Sequence, residues 1–193
     1  MKLVLCEGED DQAVIEGLIK SGSVSGITVE QYKGTPKFRE FLLALPQRGE
    51  FTRREVTSLG IQMDADTDRA AAWQRVKDCV KEAFGVELLR EGKFAGSRLR
   101  IAGFITGVGD RGCLEDVCLE AVRDFPGFVC LDQYFQCLCR ETGKTSFHGK
   151  ARFRAWMASQ SDFDLRVGKA AKEGHLPWNS PAFDGLRNFL RTL

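Results

Sequence analysis

The apolar residues of this chain fall into two patterns. Short unbroken runs occur at Lys2-Leu-Val-Leu-Cys6, Ile27 to Tyr32, Val56 to Met63 and Leu99 to Thr106. Their length and their β-branched content predict buried strands. Between them the spacing turns helical. Asp10 or Asp11 can cap a helix running to about Lys20, with Ala13, Val14, Leu18 and Ile19 apolar. Pro36 to Leu45 reads as a short helix with proline in its first turn. Thr67 to Phe84 reads as a long one, with Ala71, Trp73, Val76, Val80 and Phe84 on or near one face. Ser21 to Gly26 is a turn and Gln47 to Arg54 a polar loop. Strands alternating with helices imply an α/β fold: a mostly parallel, Rossmann-like sheet with helices on both faces. Past the glycine-rich turn Gly107 to Gly112 the strand signal ends. Helices are expected from about Cys113 and over Asp132 to Glu141, Lys150 to Ser159, Asp164 to Lys172 and Ala182 to Leu193. The expected organisation is an α/β core over residues 1–125 and a helical C-terminal extension over residues 126–193 packed on it.

Composition narrows the function. Hydrophobic content of 43% and charged content of 28% in 193 residues are those of an ordinary globular protein. A net charge of +1 excludes a strong global field, so nucleic acid would be gripped through local patches or metals. Seven cysteines without Cys-x-x-Cys spacing, and only His148 and His175, give little support to a Cys/His zinc site. They read as small buried thiols of a cytoplasmic protein. The apolar start is too short for a signal peptide, and no stretch is long enough to span a membrane, so no membrane association is expected. Neither a phosphate-loop, a dinucleotide-binding glycine motif nor a Gly-x-Ser-x-Gly elbow is present.

The chemistry lies where the apolar runs stop. Glu7 ends the first run and opens Glu7-Gly-Glu-Asp-Asp11; Asp64 and Asp66 end the third. Ligands of open α/β sheets bind outside the carboxyl ends of the strands, so these acids would meet if their strands were neighbours. Asp11, four residues after Glu7, can point to the same side from a helix first turn. A third acidic pair, Glu115 and Asp116, follows the fourth strand. Such a cluster is tolerable if it binds a cation or takes up protons, and oxygen donors suit Mg²⁺ or Mn²⁺. Each acid also has a plain reading. Glu9 and Asp10 suit a helix start, Asp66 could cap the helix near Thr67, and Glu115 and Asp116 could be ordinary first-turn acids. Adjacent helical residues diverge by about 100°, so one of the last pair should face the cluster; Glu115 is favoured.

Arg140, Lys144, Lys150, Arg152 and Arg154 lie close together, with Phe147, His148, Phe153 and Trp156 among them. They read either as a phosphate-contacting patch with aromatics or as an amphipathic helix burying Phe153, Trp156 and Met157.

A strand ending in Glu-Gly and a later strand ending in Asp-x-Asp resemble the signature of Toprim domains. The whole chain is similar to a small Toprim-like family, DUF3226. The matching stretches are Leu5-Cys-Glu-Gly-Glu-Asp-Asp11, Gly60-Ile-Gln-Met-Asp-Ala-Asp66, Gly112-Cys-Leu-Glu-Asp116, Lys150-Ala-Arg-Phe-Arg-Ala-Trp156 and Gly168-Lys-Ala-Ala-Lys-Glu-Gly-His-Leu-Pro-Trp178. The resemblance implies a core of about four parallel strands and Mg²⁺ held by Glu7, Asp64 and Asp66. The overcoming-lysogenisation-defect (OLD) branch of Toprim nucleases adds ligands that map onto Asp11 and onto Glu115 or Asp116, and a lysine for which Lys150 is the best candidate. The expected activity is a phosphodiesterase or nuclease on DNA or RNA, using Mg²⁺ or Mn²⁺, with Glu7 and Lys150 in catalytic roles. The chain lacks the ATPase domain of OLD proteins. The rival is therefore a non-catalytic or partner-dependent Toprim nucleic-acid-binding module; a protein partner or a homo-oligomer is the assembly considered. A response-regulator-like domain is disfavoured, because no strand ends in lysine.

Overall fold

The structure, a computed structural model, describes residues 1–22, 24–160 and 166–193. Strands β1 (Lys2–Cys6), β2 (Ile27–Gln31), β3 (Ser58–Asp64) and β4 (Arg100–Thr106) form one parallel sheet in the order β2-β1-β3-β4. Lys2 is in register with Ile27 and Ser58, and Ser58 with Arg100. All seven residues of β3 are buried, as expected of a central strand covered on both faces.

The crossovers are α1 (Glu9–Ser21), then α2 (Phe38–Ala44) and α3 (Gly49–Thr52), then α4 (Arg69–Phe84). Side chains alternate along each strand and split the core in two. Leu3, Leu5, Leu59, Ile61, Met63, Ile101 and Ile105 pack against α2 and α4. Val4, Cys6 and Ala102 face α1 and the C-terminal helices. These are α5 (Leu114–Ala121), α6 (Phe128–Thr142), α7 (Gly149–Ser159), α8 (Val167–Glu173) and α9 (Asp184–Thr192). Phe183, Phe189, Leu190 and Leu193 belong to the same buried cluster as Val4 and Val14, and Phe189 stacks on Phe104 at 5.3 Å between ring centres. The C-terminal helices thus complete one face of the sheet.

Several element boundaries differ from those expected. The N-cap of α1 is Gly8, not Asp10 or Asp11; Asp11 sits in the first turn, and its carboxylate accepts the Gly8 N–H at 3.2 Å. Asp68 rather than Asp66 caps α4, accepting from the Ala71 N–H at 3.0 Å. Asp66 cannot cap because its backbone is left-handed (φ 49°) and exchanges two hydrogen bonds with Gly112, at 2.8 and 2.7 Å. The polar stretch after Gln47 contains α3, and α6 begins at the buried Phe128, ahead of Asp132. The helix expected from Asp164 begins outside the described residues, where its first two positions fall; α8 forms its remainder. Among the described residues no helix is long and apolar enough to cross a membrane.

Candidate metal centre

From β1 the chain crosses to β2 on one side, then returns past β1 to β3 on the other. The carboxyl ends of β1 and β3 therefore flank the point where the strand order reverses, the usual ligand crevice of an open α/β sheet. Glu7 directly follows β1 and Asp64 is the last residue of β3. Asp11 comes from the first turn of α1, Glu115 from the first turn of α5 and Lys150 from the first turn of α7. All five line one pocket of about 240 Å³.

Each acid is fixed differently. Glu7 accepts from the Thr35 N–H at 3.4 Å and the Thr35 hydroxyl at 3.2 Å, and its carbonyl accepts the Gly34 N–H at 3.1 Å. The loop after β2 thus holds it. Asp64 is only 8% exposed. Beneath it lies Gln62, fully buried on the same face of β3. The Gln62 amide nitrogen reaches Thr106 Oγ1 at 3.0 Å, Asp64 Oδ1 at 3.2 Å and Asp11 Oδ1 at 3.4 Å, while its amide oxygen has no hydrogen-bond partner among the described residues. Two amide protons thus serve three acceptors.

Charge is crowded here. Burial first, then Glu7 and Glu115, push the Asp11 carboxyl up to about 7 against the lowering effect of the Gly8 N–H. Burial, then Asp11, Glu115, Glu7 and Asp66, push Asp64 well above the usual carboxylate range. Burial pulls Lys150 down, but Glu115, Cys113, Asp64 and Glu7 more than offset it and the net shift is upward. Lys150 Nζ stands 3.9 Å from Glu115 Oε1 with more than half of its side chain exposed, so it covers the rim rather than the floor. Carboxylates that must otherwise share protons are the electrostatic condition under which a divalent cation is favoured. The oxygen donors present fit Mg²⁺ or Mn²⁺.

Asp66 and Asp116 stand apart from this ring. Asp66 is exposed and does not line the pocket, though its charge still acts on Asp64. The Asp116 carboxylate turns back on its own helix start, accepting the Cys113 N–H at 2.9 Å and the Cys113 thiol at 3.2 Å. Gly149 packs against this carboxylate so tightly that a Cβ there would stand 2.3 Å from Asp116 Oδ1. Asp116 thereby joins the starts of α5 and α7, which carry Glu115 and Lys150.

Sequence reasoning missed three contributors. Cys113 precedes α5 with its thiol buried, and its sulfur, one Asp64 oxygen and one Glu115 oxygen lie within 4.8 Å of one another. Its position next to the Leu-Glu-Asp stretch was the available signal. Gln62 was legible only as a polar residue in an otherwise apolar run. Asp10 reaches across to α8, accepting the Gly168 N–H at 3.1 Å. The cysteines also divide: Cys6, Cys79, Cys113 and Cys118 are buried, whereas Cys130 and Cys137 are exposed on α6. The basic cluster divides as well. Arg152 pairs with Asp132 and lies over Phe135, while Phe153, Trp156 and Met157 are buried. Lys144 lies over Phe147.

No curated protein matches the chain. A crystal structure of a hypothetical protein from Pyrococcus horikoshii OT3 is similar in fold, with a TM-score of 0.65 at 12% identity, covering 90% of this chain and 87% of that one. One family model matches the chain from end to end, over residues 1–193: the chain is a member of DUF3226, a protein family of unknown function.

Proposed function

We propose that this chain is a metal-dependent phosphodiesterase of the Toprim type, related to the OLD nucleases and acting on DNA or RNA. The supporting observation is the convergence of Glu7, Asp11, Asp64 and Glu115, from separate elements, on one pocket rimmed by Lys150. Bound Mg²⁺ or Mn²⁺ would polarise a phosphoryl oxygen and activate water. Asp64 and Glu115, with Glu7 and Asp11 lining the same pocket, would hold the metal. Thr35 keeps Glu7 pointed at the pocket, and Gln62 keeps Asp11 and Asp64 side by side. Lys150, exposed on the rim, would meet a phosphate from solvent and offset the charge that develops on it. Asp66 would act by its charge from outside the ring, and Asp116 by holding α5.

One observation favours a second reading. A Toprim pair should present both acids of Asp64-Ala-Asp66, yet Asp66 turns outward. A binding module without cleavage, working with a protein partner, would tolerate that. Incubation with plasmid, linear DNA and RNA, with Mn²⁺ or Mg²⁺ and a chelator control, separates the two. Chelator-sensitive cutting lost in Glu7→Gln supports the phosphodiesterase. Metal binding with every substrate intact supports the binding module.

A further inference from the structure

The opposite end of the sheet carries a second cavity, of about 440 Å³. It lies beside the amino ends of β3 and β4, and the length of a seven-residue strand, roughly 20 Å, separates it from the carboxylates. Its wall is apolar, built from Phe51, Val56, Phe84, Val86, Leu99 and Ile101. Val56 and Ile101 are buried, whereas the other four keep part of their surface open, and the Phe51 and Phe84 rings stand 5.9 Å apart between centres. The polar side chains of the lining are few: Arg54, Ser97 and Arg98. A volume of about 300–1,000 Å³, an apolar wall and a few polar groups that fix orientation are the marks of a small-molecule site.

The charge here is one-sided. Among the described residues the exposed Arg54 and Arg98 side chains have no ion pair or hydrogen bond, and no acid lines the cavity. Three neighbouring acids are committed elsewhere: Glu55 pairs with Arg53 at 2.7 Å, Glu50 lies 3.9 Å from Arg48, and Glu82 pairs with Arg39. Both arginines stand on fixed backbone. Arg54 is left-handed (φ 64°), and its N–H donates to the Phe51 carbonyl at 3.1 Å. That conformation favours glycine, so a guanidinium is carried there at a conformational cost. Ala95 and Ile101 exchange backbone hydrogen bonds at 2.9 and 2.8 Å, and Gly96 (φ 87°) closes so tightly that a Cβ would stand 2.3 Å from the Leu99 carbonyl oxygen. The turn bearing Ser97 and Arg98 is thus preformed. We propose that this cavity binds a small organic anion, with an aliphatic or aromatic body on the Phe51–Phe84 wall and a carboxylate or phosphate head at Arg54 and Arg98. Apolar burial supplies the affinity and the two guanidiniums select the charge. The site is separate from the carboxylate crevice and independent of the activity proposed for it.

The test titrates the full chain, with chelator present, against octanoate, octyl phosphate and octanol by calorimetry. Both anions should bind one to one, and tighter than octanol by roughly 4–25-fold, the product of two solvent-exposed ion pairs worth about two- to fivefold each. The better of the two heads identifies the carboxylate or the phosphate as the natural one, and either result supports the site. Arg54→Gly and Arg98→Ala should each weaken the anions by about two- to fivefold and change octanol by less than about twofold. The double variant should bring the anions down to octanol. Arg54→Gly should also keep or raise the melting temperature, because glycine suits the left-handed position; a loss of affinity without a loss of stability separates recognition from a folding defect. Octanol binding as tightly as the anions, anion affinity unmoved in the double variant, or no binding of either anion at millimolar concentration overturns the proposal.

Discussion

Asp11 gives the sharpest test of the carboxylate crevice, through stability rather than activity. Its carboxyl rises from an ordinary 3.8 to about 7, chiefly through burial and then through Glu7 and Glu115. At about 1.4 kcal/mol per pH unit, ionising it in the metal-free protein costs up to roughly 4 kcal/mol. Asp11 is half-buried rather than enclosed, so solvent should screen about half of that, leaving roughly 2 kcal/mol. The folded state holds this proton to higher pH than the unfolded state does. Between about pH 4 and pH 7 the folded chain binds more protons, so its stability falls as pH rises, and the full penalty is present above about pH 7. Asp11→Asn removes the charge while its amide oxygen can still accept the Gly8 N–H. The variant should therefore be more stable than wild type at about pH 8 by roughly 2 kcal/mol, or about 4–8 °C in Tm for a chain of this size. Near pH 4.5 the two should melt together. Saturating Mn²⁺ should erase or reverse the difference, since a ligand at a hundred times its Kd adds about 2.7 kcal/mol to wild type. Thermal denaturation by circular dichroism at both pH values, with chelator and with Mn²⁺, measures all of this. A variant that melts below wild type at pH 8, or by the same offset at both pH values, would refute the account of Asp11.

Three further outcomes are expected. Asp64→Asn should weaken Mn²⁺ binding by at least tenfold with the fold intact, and unchanged affinity by calorimetry would remove Asp64 from the centre. Lys150→Ala should lower phosphodiester turnover by about 10²–10³-fold while leaving metal affinity nearly unchanged; equal turnover would make the lysine a mere surface residue. Gly149→Ala should destabilise the protein by about 1–3 kcal/mol, because its methyl would collide with the Asp116 carboxylate; chemical denaturation showing no loss would mean that the α5–α7 junction yields freely.

The β-rich runs and the helical spacing announced the parallel sheet because each is a local property: four apolar runs became β1 to β4 within two residues at each end. The acids at their ends were equally plain. Which acids would converge was a different matter. Glu7 and Asp64 meet because β1 and β3 are neighbours at the reversal of strand order, and pairing of strands more than fifty residues apart leaves no local mark. Asp64 and Asp66 look equivalent in the chain, but the double hydrogen bond with Gly112 turns the backbone of Asp66 left-handed, leaving only Asp64 to line the pocket. Glu115 and Asp116 are adjacent, and the burial of Leu114 and Val117 fixes the helix rotation that sends one to the pocket and the other to the Cys113 N–H. Cys113 and Gln62 lie inside stretches that match the family, but nothing local marked either as a neighbour of Asp64. Local periodicity in the chain determined the elements and where charge would collect, but the neighbours that give a side chain its charge state and its direction come from remote segments, and only the packed fold sets them.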